Sequence, residues 1–165
     1  MARVHFVKSA RKDNSVAKKG ESYYWWQHAF QPKQLSKNQP TRSQIQSSAF
    51  LAELYELEDT KPNPEFDADN IQSCFDDLQS AIEEHIGSIE DLKDQCEESL
   101  QNMPEHLQEQ SSTGELLQER IDALEQYLSE LQSISISYDE NQSVKELEDL
   151  FTDCVQEFHE ASSGV

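Results

Sequence analysis

The sequence predicts a mainly α-helical protein that opens with a small β-meander and continues as an extended antiparallel bundle, or coiled coil, of three helices. Three observations carry that prediction. The first forty residues alternate apolar and polar positions and include four consecutive aromatic residues, a strand signature. From Ile71 onward apolar residues recur at four and three positions, the seam of packed helices. Four glycines and five prolines in 165 residues supply too few turns for a larger β protein.

The meander is read from "RVHFVKSARK", in which Val4 and Phe6 fall on one face and Arg3, His5 and Val7 on the other. "KKGES" places a turn at Gly20, and "YYWWQHAF" is the second strand, because aromatic side chains suit a pleated, half-buried surface. "QPK" turns the chain at Pro32, and "QLSK" forms a short third strand. Thr41 and Gln44 have the spacing of a capping box, so a helix is expected from residue 43 to 58 that covers one face of the sheet. Pro62 and Pro64 remove backbone donors and end that helix.

These breaks divide the chain into a basic β-rich module with its helix at 1–60, a proline-containing linker at 61–70, an acidic bundle at 71–160 and a disordered tail at 161–165. The bundle seam runs through Ile71, Phe75, Leu78, Ile82, Ile89 and Leu92, with His85 and Ser99 as polar interruptions, and Pro104 kinks or ends it. Further capping boxes at Ser112 to Glu115 and Ser143 to Glu146 start two more helices. The first carries Leu117, Ile121, Leu124, Leu128 and Leu131, the second Val144, Leu147, Phe151, Cys154 and Phe158. Seams this narrow also suit self-association, so a homo-oligomer is expected.

Charge is the strongest functional clue. The net of −20 conceals a basic segment, residues 1 to 49, with nine Lys or Arg against Asp13 and Glu21. The remainder holds four basic residues against thirty-one acidic ones. A basic module attracts polyanions and an acidic body repels them. Phosphate contact is therefore assigned to Lys8, Arg11, Lys12, Lys18, Lys19, Lys33, Lys37 and Arg42. Stacking on bases is assigned to Tyr24 and Trp26, or to their alternates Tyr23 and Trp25 on the opposite face.

No nucleotide-binding, metalloprotease or nucleophile-elbow motif occurs, and paired carboxylates are too numerous to single out an acid/base couple. No catalytic residue, metal or cofactor is assigned. Cys74, Cys96 and Cys154 are odd in number and widely spaced, which suits buried reduced thiols. With no apolar run long enough for a membrane span or a secretory signal, no membrane contact and a cytoplasmic location are expected.

The opening fifty residues, with their basic segment leading into YYWW and the following "SK" and "SQ" stretch, resemble the start of a tailed-phage protein family of unknown function. That resemblance implies a viral source and the cytoplasm of a host cell. The strand, turn, strand and helix order is also similar to the three-stranded DNA-binding sheets at the N-termini of phage integrases. "QPK" departs from the Gly-rich turn usual there, and no recombinase catalytic domain follows. Three readings emerge: a non-enzymatic phage accessory protein whose basic module contacts nucleic acid while its acidic bundle self-associates, an acidic DNA mimic or inhibitor that binds a host nucleic-acid enzyme or defence protein through its helices, and a virion or scaffold component.

Overall fold

The structure, a computed structural model, describes residues 1–139 and 142–164. It is mainly helical with a small N-terminal sheet, and the chain forms two compact units, Met1–Asp59 and Thr60–Val165.

The first unit is a three-stranded antiparallel meander: β1 (His5–Val7), β2 (Tyr23–Trp26) and β3 (Gln34–Ser36), with β2 in the centre. His5 pairs with Trp25 and Trp25 with Leu35 on one face, while Phe6 pairs with Tyr24 and Tyr24 with Ser36 on the other. After the sheet comes a single 3-10 turn, Ser43–Ile45, and then helix α1 (Ala49–Asp59). The expected continuous helix from 43 is therefore corrected to two pieces.

The reason lies in where the carbonyls point. The Thr41 and Gln44 side chains do cap each other's amides, at 3.4 and 3.2 Å. The Gln44 carbonyl, however, accepts from the Trp26 indole at 3.1 Å and contacts the His28 ring at 3.2 Å. The Ile45 carbonyl accepts from the Ala2 amide. Both acceptors are withdrawn from the helical ladder, and the backbone turns extended at Gln46. Ser48 then caps α1 afresh through the Leu51 amide.

The second unit contains α2 (Ile71–Gln101), α3 (Glu105–Gln108), α4 (Ser112–Ser133) and α5 (Val144–Glu160). Among the described residues this unit has four helices where a three-helix coiled coil was expected, because Pro104 follows the end of α2 and opens the one-turn α3. Gly114, on the first turn of α4, lets this turn approach α3 closely: a Cβ there would stand 2.2 Å from the Gln108 carbonyl oxygen. Ser111, one residue earlier than expected, caps α4 by accepting from the Gly114 amide at 3.0 Å. The Ser143 to Glu146 box forms as expected, each side chain satisfying the other residue's amide. Ser143→Ala should cost about 1 kcal/mol of stability, read from urea unfolding.

The seam expected to join copies of the chain is an intrachain core. Phe75, Leu78, Ile82, Ile89, Leu92, Leu117, Ile121, Leu124, Leu128 and Leu131 are all buried within this one chain, and only Ile71 is half-buried. The apolar stripe is consumed by α2 against α4, with Leu147, Phe151, Cys154 and Phe158 of α5 also buried.

The 61–70 stretch, expected as a linker, is mostly exposed but is held to the second unit at Lys61, Phe66 and Asp67. Phe66 lies 5.6 Å from the Phe151 ring, and the Asp67 amide donates to the Cys74 sulfur at 3.1 Å. Lys61 is buried and donates through Nζ to the Phe158 carbonyl at 2.7 Å and to the Ala161 carbonyl. It thereby satisfies backbone acceptors at the C-terminal end of α5, where positive charge is favoured. Ala161 and Ser163 are buried as well, so the expected tail is seated as far as Ser163; Val165 lies outside the described residues.

Candidate nucleic-acid interface

The β1–β2 connection, residues 8–22, carries Lys8, Arg11, Lys12, Lys18 and Lys19. Local polar chemistry gives it a defined shape. Asn14 Oδ1 accepts from the Val16 and Ala17 amides at 2.9 and 2.8 Å, the side-chain turn that Asn favours. The Ala10 amide donates to the Glu21 carbonyl and the Gly20 amide to the Ala10 carbonyl, with Gly20 at φ 96° in a conformation suited to glycine. Ala10 and Ala17 of the loop are themselves buried.

Both acidic residues of this loop are engaged by its backbone. Asp13 accepts from the Lys19 amide at 2.7 Å, and Glu21 accepts from the Lys18 amide at 3.0 Å. The Lys18 amide, then Lys37 at 3.6 Å, hold the Glu21 carboxyl below the usual carboxylate range. The five loop cations are exposed, and among the described residues none of their side chains forms an ion pair. Lys37, just past β3, is drawn to the same end of the sheet by its contact with Glu21. Six of the eight expected cations are thus brought together.

The other two are placed elsewhere. Lys33 Nζ sits 4.3 Å from the centroid of the Trp25 ring. Arg42 donates to Asp59 at 2.7 Å, lies 3.4 Å from Glu58 and covers the Tyr55 ring at 4.7 Å. Its charge is paired inside the unit, which sets it apart from the loop cations that form no ion pair.

The rings divide as alternation requires, with one correction. Trp26 is 6% exposed and its indole N–H is committed to Gln44, so it is a core residue and offers no stacking platform. Tyr24 is half-buried and lies 4.9 Å from Phe6, which is 58% exposed. On the opposite face Trp25 stacks on His5 at 4.1 Å and 8°, while Lys33 reaches it from the β3 side. Trp25 is therefore already engaged, and the open pair is Phe6 with Tyr24. Sequence reading missed Phe6 as Tyr24's partner, although alternation had placed both strands' rings; the register was the missing information.

The second unit has a buried polar centre around His85. His85 Nε2 and the Tyr127 hydroxyl are 2.8 Å apart, the His85 ring packs edge-on to Phe158, and Lys61 Nζ is 5.1 Å from the Tyr127 ring centroid. Burial, then Lys61, push the His85 pKa down to about 4. His85 is a satisfied core residue where the seam reading had expected a polar defect. Because its folded pKa lies below the unfolded value near 6.5, its contribution is fully present above pH 6.5. It is lost as the pH falls toward 4. The shift corresponds to about 3 kcal/mol, and His85→Leu should reduce the loss of stability between pH 7 and 4 by about that amount in parallel urea titrations.

Cys74, Cys96 and Cys154 are buried free thiols. Burial pushes the Cys96 and Cys154 thiols up, and nearby Glu157 and Asp153 raise Cys154 further, which makes both poor nucleophiles. Among the described residues no cluster of three or more His, Cys, Asp or Glu is placed to hold a metal ion, and no helix is long and apolar enough to cross a membrane.

Compared with protein-family models, curated proteins and solved structures, the chain matches none of them. The functional reading accordingly rests on the arrangement of its own residues.

Proposed function

We propose that the protein is a non-enzymatic nucleic-acid-binding protein, of the phage accessory kind that its opening residues resemble. Its contact surface is the basic end of the N-terminal sheet. The observation that carries this reading is the group of loop cations without ion pairs. The two carboxylates of residues 8–22 accept from backbone amides, Glu21 also pairing with Lys37, and the five loop cations stay exposed without an ion pair, so a net positive field is left to an external polyanion. Tyr24 and Phe6 add an open aromatic pair on the sheet face.

Lys8, Arg11, Lys12, Lys18, Lys19 and Lys37 supply the phosphate contacts. For six contacts to a single strand, the logarithm of affinity falls with the logarithm of salt at a slope of about −4. Fluorescence anisotropy with labelled DNA and RNA, from 20 mM salt upward, tests this. Failure to bind any of them at the lowest salt would sink the proposal.

A second reading is favoured by α2, whose exposed carboxylates include Asp76, Asp77, Glu83, Glu84, Asp91 and Asp94, with Lys93 as its only basic residue. Lys93 is itself paired with Glu97 and Glu125. Such a face suits the phosphate groove of a nucleic-acid enzyme. Inhibition of such an enzyme that excess DNA relieves would support mimicry; a panel of polymerases and nucleases left uninhibited would remove it.

A further inference from the structure

The hairpin between β2 and β3 carries a feature that neither charge nor sheet register explains. Phe30 is fully exposed, and it adopts φ 62°, the left-handed region. It occupies the third position of a turn closed by the Gln31 amide on the His28 carbonyl, where glycine or asparagine ordinarily stands. A bulky residue there is strained, and an aromatic ring in water adds nothing to the core. The turn is nevertheless held firmly: the Gln27 side chain donates to the Gln31 carbonyl at 2.7 Å. Its base is fixed by Trp26 and His28, both directed at the Gln44 carbonyl. A strained, exposed ring on a fixed stem is arranged for contact with something outside the unit.

We infer that Phe30 is a base-stacking finger, and that the nucleic acid held by this unit is single-stranded. This rests on the nucleic-acid reading above and specifies its ligand. The neighbouring charge selects the occupant: Lys33 stands three residues on, and the loop cations lie at the other end of a four-residue strand, roughly 13 Å away. A short oligonucleotide can meet both. An unpaired base presents a free π-face to the ring, whereas a base inside a duplex has both faces covered by its neighbours. Trp26 is buried and Trp25 engaged, whereas Phe30 is fully exposed, the Phe6–Tyr24 pair is open and Tyr23 is half-buried.

The test uses the full chain, a labelled single-stranded 20-mer, a hairpin duplex and inorganic polyphosphate, a polyanion without bases. Phe30→Gly relieves the backbone strain, so its thermal midpoint should equal or exceed that of the natural chain. Its affinity for the single strand should fall about 5- to 100-fold, with polyphosphate and duplex affinity unchanged, and Phe30→Trp should bind the single strand at least as well as the natural chain. If Phe30→Gly binds the single strand undiminished, the finger is wrong while the basic surface stands. An equal loss on duplex and single strand overturns the single-strand assignment. A natural chain that binds neither nucleic acid defeats the nucleic-acid reading, and this inference with it.

Discussion

Replacing Lys8, Arg11, Lys12, Lys18 and Lys19 together by alanine is expected to weaken binding to single-stranded nucleic acid by about three orders of magnitude at 0.1 M salt. The figure follows from counterion release, in which each lost phosphate contact removes roughly 0.7 from the logarithmic salt slope. The slope itself should shrink from about −4 to near −1, leaving Lys37 as the residual contact. The fold should survive, because these side chains are exposed and form no ion pair among the described residues, while the loop is shaped by Asn14, Asp13, Glu21 and Gly20. Arg42→Ala is the control with the opposite signature. It should lower stability modestly through the lost contacts with Asp59 and Tyr55, and leave binding unchanged. Glu21→Gln keeps an acceptor for the Lys18 amide but removes a negative charge, so it should tighten binding severalfold. A loop variant that binds as tightly as the natural chain, with an unchanged salt slope, would show that the basic end is not the contact surface.

The second large effect belongs to Lys61. Lys61→Met keeps most of the aliphatic stem but withdraws the Nζ donor from the Phe158 and Ala161 carbonyls. Two buried backbone acceptors then lose a partner, a loss partly offset by no longer burying a charge, so the net cost should be about 2 to 4 kcal/mol. For a unit of this size that lowers the thermal midpoint by roughly 10 to 20 °C. The same substitution should raise the pKa of His85, since Lys61 is the second cause, after burial, of its depression. Titration of the His85 ring by NMR reads this directly. An unchanged midpoint together with an unchanged His85 titration would mean that Lys61 is not seated as described.

The order of elements was legible because it rests on local signals. Alternation marked the three strands, four-three spacing marked α2, α4 and α5, and the Ser143 box marked the start of α5 to the residue. The errors came where long-range contacts override local pattern. A capping box at Thr41 does not show that Trp26 and His28 will claim the Gln44 carbonyl, and that diversion breaks the helix. Prolines at 62 and 64 correctly signalled a helix stop, yet nothing local shows that Lys61 and Phe66 will be packed. An apolar seam reveals that a helix needs a partner, and leaves open whether that partner is α4 of the same chain or another copy.

The site was legible in its charges and only partly in its geometry. Counting cations identified the basic end, but the separation of Arg42 from Lys8 to Lys19 depends on where Asp59 lies. Alternation correctly put Tyr24 and Trp26 on one face, and could not say that the 3-10 turn covers Trp26 while leaving Phe6 open. The signal for Phe30 was present: a large aromatic beside Pro32, in a stretch that turn chemistry reserves for small or polar residues.

The contact of Lys61 with Phe158 and Ala161 joins positions 97 and 100 residues apart. During synthesis, α2 and α4 are available to pair once Ser133 has emerged, whereas this contact must wait for residues 158 to 161 to leave the ribosome. Closing a loop of that length is slow compared with forming the α2–α4 hairpin. The acidic unit is therefore expected to mature in two stages, with a nascent hairpin whose α5-facing apolar surface stays uncovered until α5 itself has emerged.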